Sequence, residues 1–147
     1  MKMKRINLFA AALLFAFNLA GQEIIEPTLV KAASTNPLDI AFEKWELSNG
    51  LKVLVHEDHS DPIVHVHVTY HVGSNRETAG KSGFAHFFEH MMFQGSEHVE
   101  DERAPRIIAE AGGQLNGNTS YDRTVYLQTV PSNHLETILW LEADRMG

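Results

Sequence analysis

Gly83-Phe84-Ala85-His86-Phe87-Phe88-Glu89-His90-Met91-Met92-Phe93-Gln94-Gly95-Ser96 decides how the rest of the chain is read. From Phe84 to Phe93 the stretch holds neither Pro nor Gly. Ser82 precedes it as an N-cap and Gly95 follows as a C′ stop, so the pattern predicts a helix. On a helix His86 and His90 lie one turn apart and project from one face. Two imidazoles so placed can ligate one Zn²⁺ at Zn–N distances of about 2.0–2.1 Å. Glu89 falls on the same side, where a carboxylate can take a proton from water made acidic by the metal. The same cation can polarise a peptide carbonyl. The order His-x-x-Glu-His is that of the inverted zincins. Phe84, Phe87, Phe88, Met91, Met92 and Phe93 surround the polar trio, and a dry apolar shell is expected there.

Upstream, Trp45 and Leu47 alternate with Glu46, and Leu51, Val53 and Val55 alternate with Lys52 and Leu54. Asn49-Gly50 between these runs predicts a hairpin whose two turn residues both take positive φ. Asp58 to Pro62 reads as a second turn and Ile63 to Val72 as a third strand, ended by Gly73. Downstream, a helix over 103–111 is expected, with Pro105 in its first turn and Gly112-Gly113 at its end. Tyr121 to Val130 reads as a strand. Pro131 breaks it, Ser132 can cap, and 133–146 reads as a helix with Leu135, Ile138, Leu139, Glu142 and Met146 on one face. The order β-β-β-α-α-β-α predicts an α+β fold, an antiparallel sheet packed against helices.

The 147 residues suggest one domain, and 44% apolar with 21% charged residues excludes wholesale disorder. Twelve basic against 19 acidic residues make a nucleic-acid partner unexpected, because no cation surplus exists to displace phosphate counterions. The absence of cysteine excludes a disulfide scaffold and a cysteine nucleophile. Lys2, Lys4 and Arg5 precede an apolar run from Ile6 to Ala20, and small residues follow. Residues 1–21 therefore read as an export signal, too short for a stable membrane span, and the protein as periplasmic or secreted. Without that segment 9 basic residues face 19 acidic ones. Residues 22–41, punctuated by Pro27 and Pro37, read as a linker ahead of a folded part at 42–147.

Three further blocks accompany the histidine helix. They are Tyr70-His71-Val72-Gly73-Ser74, the hairpin Leu47 to Val53, and Gly112-Gly113-Gln114-Leu115-Asn116-Gly117-Asn118-Thr119-Ser120 followed by Thr124-Val125-Tyr126. In this order they resemble the N-terminal domain of the pitrilysin-type (M16) zinc metallopeptidases, across roughly 42–147. The resemblance implies part of such a domain and a zinc-dependent endopeptidase acting on peptides or unfolded segments. It implies that His86 and His90 are zinc ligands and that Glu89 is the general base. The stretch 114–120 then borders a substrate bound as an added strand, with Asn116 holding its backbone. From the residues alone, Asn116 in a Gly-rich segment is equally a turn former.

The family's third ligand is a glutamate on a later helix, beyond Gly147. The expected partners are therefore the remaining domains of a longer chain or a homologous subunit, and the fragment alone is expected to be inactive. Glu110, Glu136 and Glu142 are the carboxylates that could substitute, although Arg145 offers Glu142 an ion pair instead. The alternative class is a non-catalytic metal-binding subunit. His65, His67 and His71 alternate on one strand face and read as a polar face rather than a second site. His56, His59, His98 and His134 read as surface residues. Glu77 either positions the histidine helix or is a solvated loop acid.

Overall fold

The computed structural model describes residues 26–32 and 40–146, so the expected export signal lies outside the described residues. The chain divides between Asp61 and Pro62 into two compact units.

The first unit carries a three-stranded antiparallel sheet in the order β1 (Pro27–Lys31), β2 (Glu43–Leu47), β3 (Lys52–Val55). Strand β1 lies inside the stretch expected to be a linker. Thr28, Leu29 and Val30 have strand propensity that Pro27 does not cancel at the first position; Pro27, Thr28 and Leu29 pair with Leu47, Glu46 and Trp45, and the register shifts between Leu29 and Lys31. The β2–β3 hairpin forms as expected, with Trp45 opposite Val53 and Glu46 opposite Lys52. Its turn differs. Gly50 has φ of 87°, whereas Glu102 is the one non-glycine with positive φ among the described residues, so Asn49 is not left-handed. The Leu47 N–H reaches Leu51 O at 2.9 Å and the Gly50 N–H reaches Leu47 O at 2.9 Å. These bonds define a three-residue loop closed by a left-handed glycine. The Asn49 side chain accepts from the Leu51 N–H instead of twisting its own backbone.

In the second unit the antiparallel sheet runs β4 (Ile63–Tyr70), β6 (Thr124–Pro131), β5 (Gln114–Thr119). Three helices accompany it: α1 (Phe84–Met91), α2 (Arg103–Glu110) and α3 (Leu135–Met146). Strand β5 is a departure from the sequence reading. Asn116, Gly117 and Asn118 are poor strand formers, yet pairing with β6 from Gln114↔Thr129 to Thr119↔Thr124 overrides local preference. The chain returns through a turn in which the Ser120 N–H donates to Arg123 O at 2.8 Å.

Side chains alternate across this sheet. One face carries Val64, Val66, Val68 and Tyr70 of β4, and register places Val130, Gln128, Tyr126 and Thr124 of β6 beside them. Leu115, Gly117 and Thr119 of β5 complete that face. The core lies against it: Val99, Ile108, Val130, Ile138 and Leu141 are buried together, with Val64, Val66, Ile107 and Leu115 packed around them. On α3 the buried stripe is Ile138, Leu141 and Glu142, so Leu141 takes the place expected for Leu139. Gly113 is required by packing, since a Cβ there would sit 2.4 Å from the Val130 side chain.

Candidate active site

Helix α1 begins without the expected Ser82 cap. Gly83 occupies the cap position and makes no side-chain capping bond. The cap comes from six residues upstream, where Glu77 Oε2 accepts from the Gly83 N–H at 2.7 Å and Oε1 from the Ala85 N–H at 2.8 Å. These bonds, Ala85 first and Gly83 second, hold the Glu77 carboxyl below its usual range. Of its two sequence readings, Glu77 thus fits the anchor of the histidine helix, placed at the positive end of the helix dipole.

Ala85 and Glu89, one turn apart, are the buried residues of α1. His86 and His90 are exposed. Their rings lie 4.8 Å apart between centroids, and their Nε2 atoms are 3.1 Å apart. Two nitrogens each about 2.0–2.1 Å from one zinc stand about 3.3 Å apart at the tetrahedral angle, so the pair fits a shared cation to within a few tenths of an ångström. Among the described residues no group of three or more His, Cys, Asp or Glu is arranged to hold a metal. Glu142 accepts from Arg145 and Gln128, Glu110 faces Arg103 at 3.4 Å, and Glu136 is exposed in the first turn of α3.

Glu89 points inward, 8% exposed, onto the β5 face. The Thr119 hydroxyl donates to its Oε2. A Cβ at Gly117 would stand 3.0 Å from its Oε1 and 2.9 Å from the Phe93 ring. Tyr126 lies next to Gly117 in register, edge-on to Tyr70 at 5.7 Å, and burial pushes its phenol up to about 12. Gly117, Thr119 and Tyr126 fall within the sequence blocks that resemble the family, but the sequence reading gave none of them a role beside Glu89. Strand alternation over 115–119 would have placed Gly117 and Thr119 on one face.

Asn116 falls on the other face. Register sets it beside Leu127, which separates it from His67 of β4, and its Oδ1 accepts from the Gly117 N–H at 2.9 Å. Its side chain is therefore not brought together with His86, Glu89 and His90, although it lies on an edge strand of the sheet. His65 and His67 occupy that same exposed face, hydrogen-bonded to Thr129 and Thr69, as the polar-face reading expects. The expected dry shell around the trio is not closed: Phe84, Phe87 and Phe88 are 52–57% exposed. A cavity of about 430 Å³ lies beside them, walled by Tyr70, Val72, Phe84, Phe88 and Tyr126. No helix among the described residues is long and apolar enough to cross a membrane.

Comparison with known proteins places the chain in a family. The model of the insulinase family, peptidase family M16, matches residues 52–146. The zinc protease PqqE of Helicobacter pylori is 37% identical over 106 residues, which is 71% of this chain and 24% of that protein. A protease crystal structure from Helicobacter pylori superposes with a TM-score of 0.70 at 34% identity, covering 72% of this chain and 26% of that one. The periplasmic protease PqqL of Escherichia coli superposes with a TM-score of 0.67 at 28% identity, covering 76% and 13%. The chain thus spans about a quarter or less of the proteins it matches.

Proposed function

This chain belongs to the insulinase family of peptidases, M16, and we propose that it supplies the zinc-binding, water-activating part of a zinc endopeptidase site. The observation that carries the reading is the pair of Nε2 atoms 3.1 Å apart with the Glu89 carboxylate buried between the same helix and β5. His86 and His90 are the proposed ligands. Zinc, when bound, supplies Lewis acidity, making water easier to deprotonate and a peptide carbonyl more electrophilic.

Glu89 is the proposed general base. Its Oε2 is occupied by the Thr119 hydroxyl, so Oε1 is the oxygen left to take the proton from water and return it to the leaving amine. Catalytic zinc sites use three protein ligands, so the third is expected from polypeptide outside the described residues, in the remaining domains or a partner subunit. The proposed substrate is a peptide or unfolded segment in extended form. It would add to the outer edge of β5, with Asn116 available along that edge to hold its backbone. Export is proposed from residues 1–21 and is supported by the periplasmic location of the PqqL relative.

The test is Glu89→Gln in the full-length protein. It is expected to keep zinc bound and to abolish peptide hydrolysis, while His86→Ala loses both. Hydrolysis unchanged by Glu89→Gln would overturn the reading in favour of a metal-binding subunit. Residues 22–147 alone, with zinc added, are expected to show little chelator-sensitive cleavage.

A further inference from the structure

Thr119 and Thr124 face each other across the end of the β5–β6 pair, their hydroxyl oxygens 3.3 Å apart. Each hydroxyl has a single proton to give. The Thr124 hydroxyl donates to the Val72 carbonyl at 3.0 Å, and a carbonyl can only accept. Thr124, 3% exposed, has thereby spent its proton on the segment that follows β4. The Thr119 proton is left to choose between the Thr124 oxygen and Glu89 Oε2. It points to the carboxylate, the stronger acceptor. The carboxylate's other oxygen rests over Gly117, where the missing Cβ leaves room.

We infer that Thr119 is a positioning residue for Glu89: its hydroxyl pins Oε2 to β5 and so holds the carboxylate in one orientation, with Oε1 over Gly117. The inference rests on the general-base reading of Glu89. A glutamate carboxylate carried on three rotatable bonds samples several orientations, and a donor on a rigid strand selects one of them. The Thr124–Val72 bond leaves Thr124 able only to accept from Thr119, so the Thr119 proton goes to the stronger of two acceptors, the charged carboxylate.

The experiment uses the full-length protein with Thr119→Val, which keeps the shape and removes the donor, and Thr119→Ser, which keeps the donor. Thr119→Val is expected to lower kcat about 10–100-fold, with KM and zinc affinity within about twofold of the parent. Thr119→Ser is expected to recover most of the rate. Crystal structures of the zinc-free variants give a readout independent of turnover: the Glu89 carboxylate leaves its position or splits between conformers in Thr119→Val and keeps it in Thr119→Ser. Should Thr119→Val not fold, Thr119→Ala replaces it as the donor-free variant. An unmoved carboxylate with parental kcat in the donor-free variant overturns the inference. An inactive Glu89→Gln beside such a result leaves the general-base reading standing, whereas an active Glu89→Gln overturns both.

Discussion

Arg145→Met tests how a buried charge is held beneath the candidate site. Glu142 and Arg145 have side chains only 4% and 10% exposed, one turn apart on α3. The carboxylate accepts from Arg145 Nε at 3.0 Å, from Arg145 Nη2, and from the Gln128 side chain. The guanidinium lies 4.1 Å from the ring centroid of Tyr126, which borders the site. Methionine preserves most of the stem packing and removes the charge, leaving a carboxylate buried without its cation. Breaking such a pair from one side costs about 3–5 kcal/mol, a large share of the roughly 5–15 kcal/mol that holds a typical domain folded.

The pH dependence follows from the direction of the Glu142 shift. Burial raises its pKa and Arg145 lowers it, so the variant's carboxyl moves further up. A carboxyl whose folded pKa exceeds its unfolded one loses stability as pH rises between the two. The deficit of Arg145→Met is therefore expected to be largest near neutral pH and to shrink toward about pH 5. Replacing all three polar groups, in Gln128→Leu/Glu142→Leu/Arg145→Met, is expected to be close to neutral or stabilising, since no buried charge is then unpaired. Urea unfolding at both pH values, with a common m-value, measures each deficit. A deficit independent of pH, or a triple variant as weak as the single one, would refute the reasoning.

Glu77→Gln weakens the anchor of α1, seen as faster hydrogen exchange at the Gly83 and Ala85 amides. In the parent those bonds are present at neutral pH and are lost as pH falls through the depressed carboxyl pKa, so α1 frays in acid and the variant lacks that step. The hydrogen bond to Asp144, 2.6 Å away, raises the His98 pKa. NMR titration of Asp144→Ala is expected to return His98 toward an ordinary imidazole value, and this contact's stability is present below that value and lost as pH rises through the raised one. Ile138→Ala, at a position 1% exposed in the core, is expected to cost about 2–5 kcal/mol by urea unfolding.

Much of the architecture was readable because it follows local periodicity. The alternating valines of β4, the proline-ended strand β6 and the proline- and glycine-bounded helix α2 lie close to where the sequence pattern expects them. Strand β5 was not readable, because Asn116-Gly117-Asn118 becomes a strand only when β6 offers its backbone partners. Strand β1 was hidden in the same way by Pro27 and its distance from β2 in sequence. The cap of α1 is not legible locally, because a capping pattern spans only the few residues at the helix start, whereas Glu77 reaches the Gly83 and Ala85 amides from a separate turn.

That His86 and His90 share a helix face with Glu89 nearby follows from residue spacing alone, since it depends only on the pitch of an α-helix. Which Glu89 oxygen the Thr119 hydroxyl holds, and that Thr119 and Gly117 rather than Asn116 meet Glu89, is set by the packing of α1 on the paired strands. The reason is register: a strand's two faces are set by its pairing with β6, and a shift of one residue would have exchanged them.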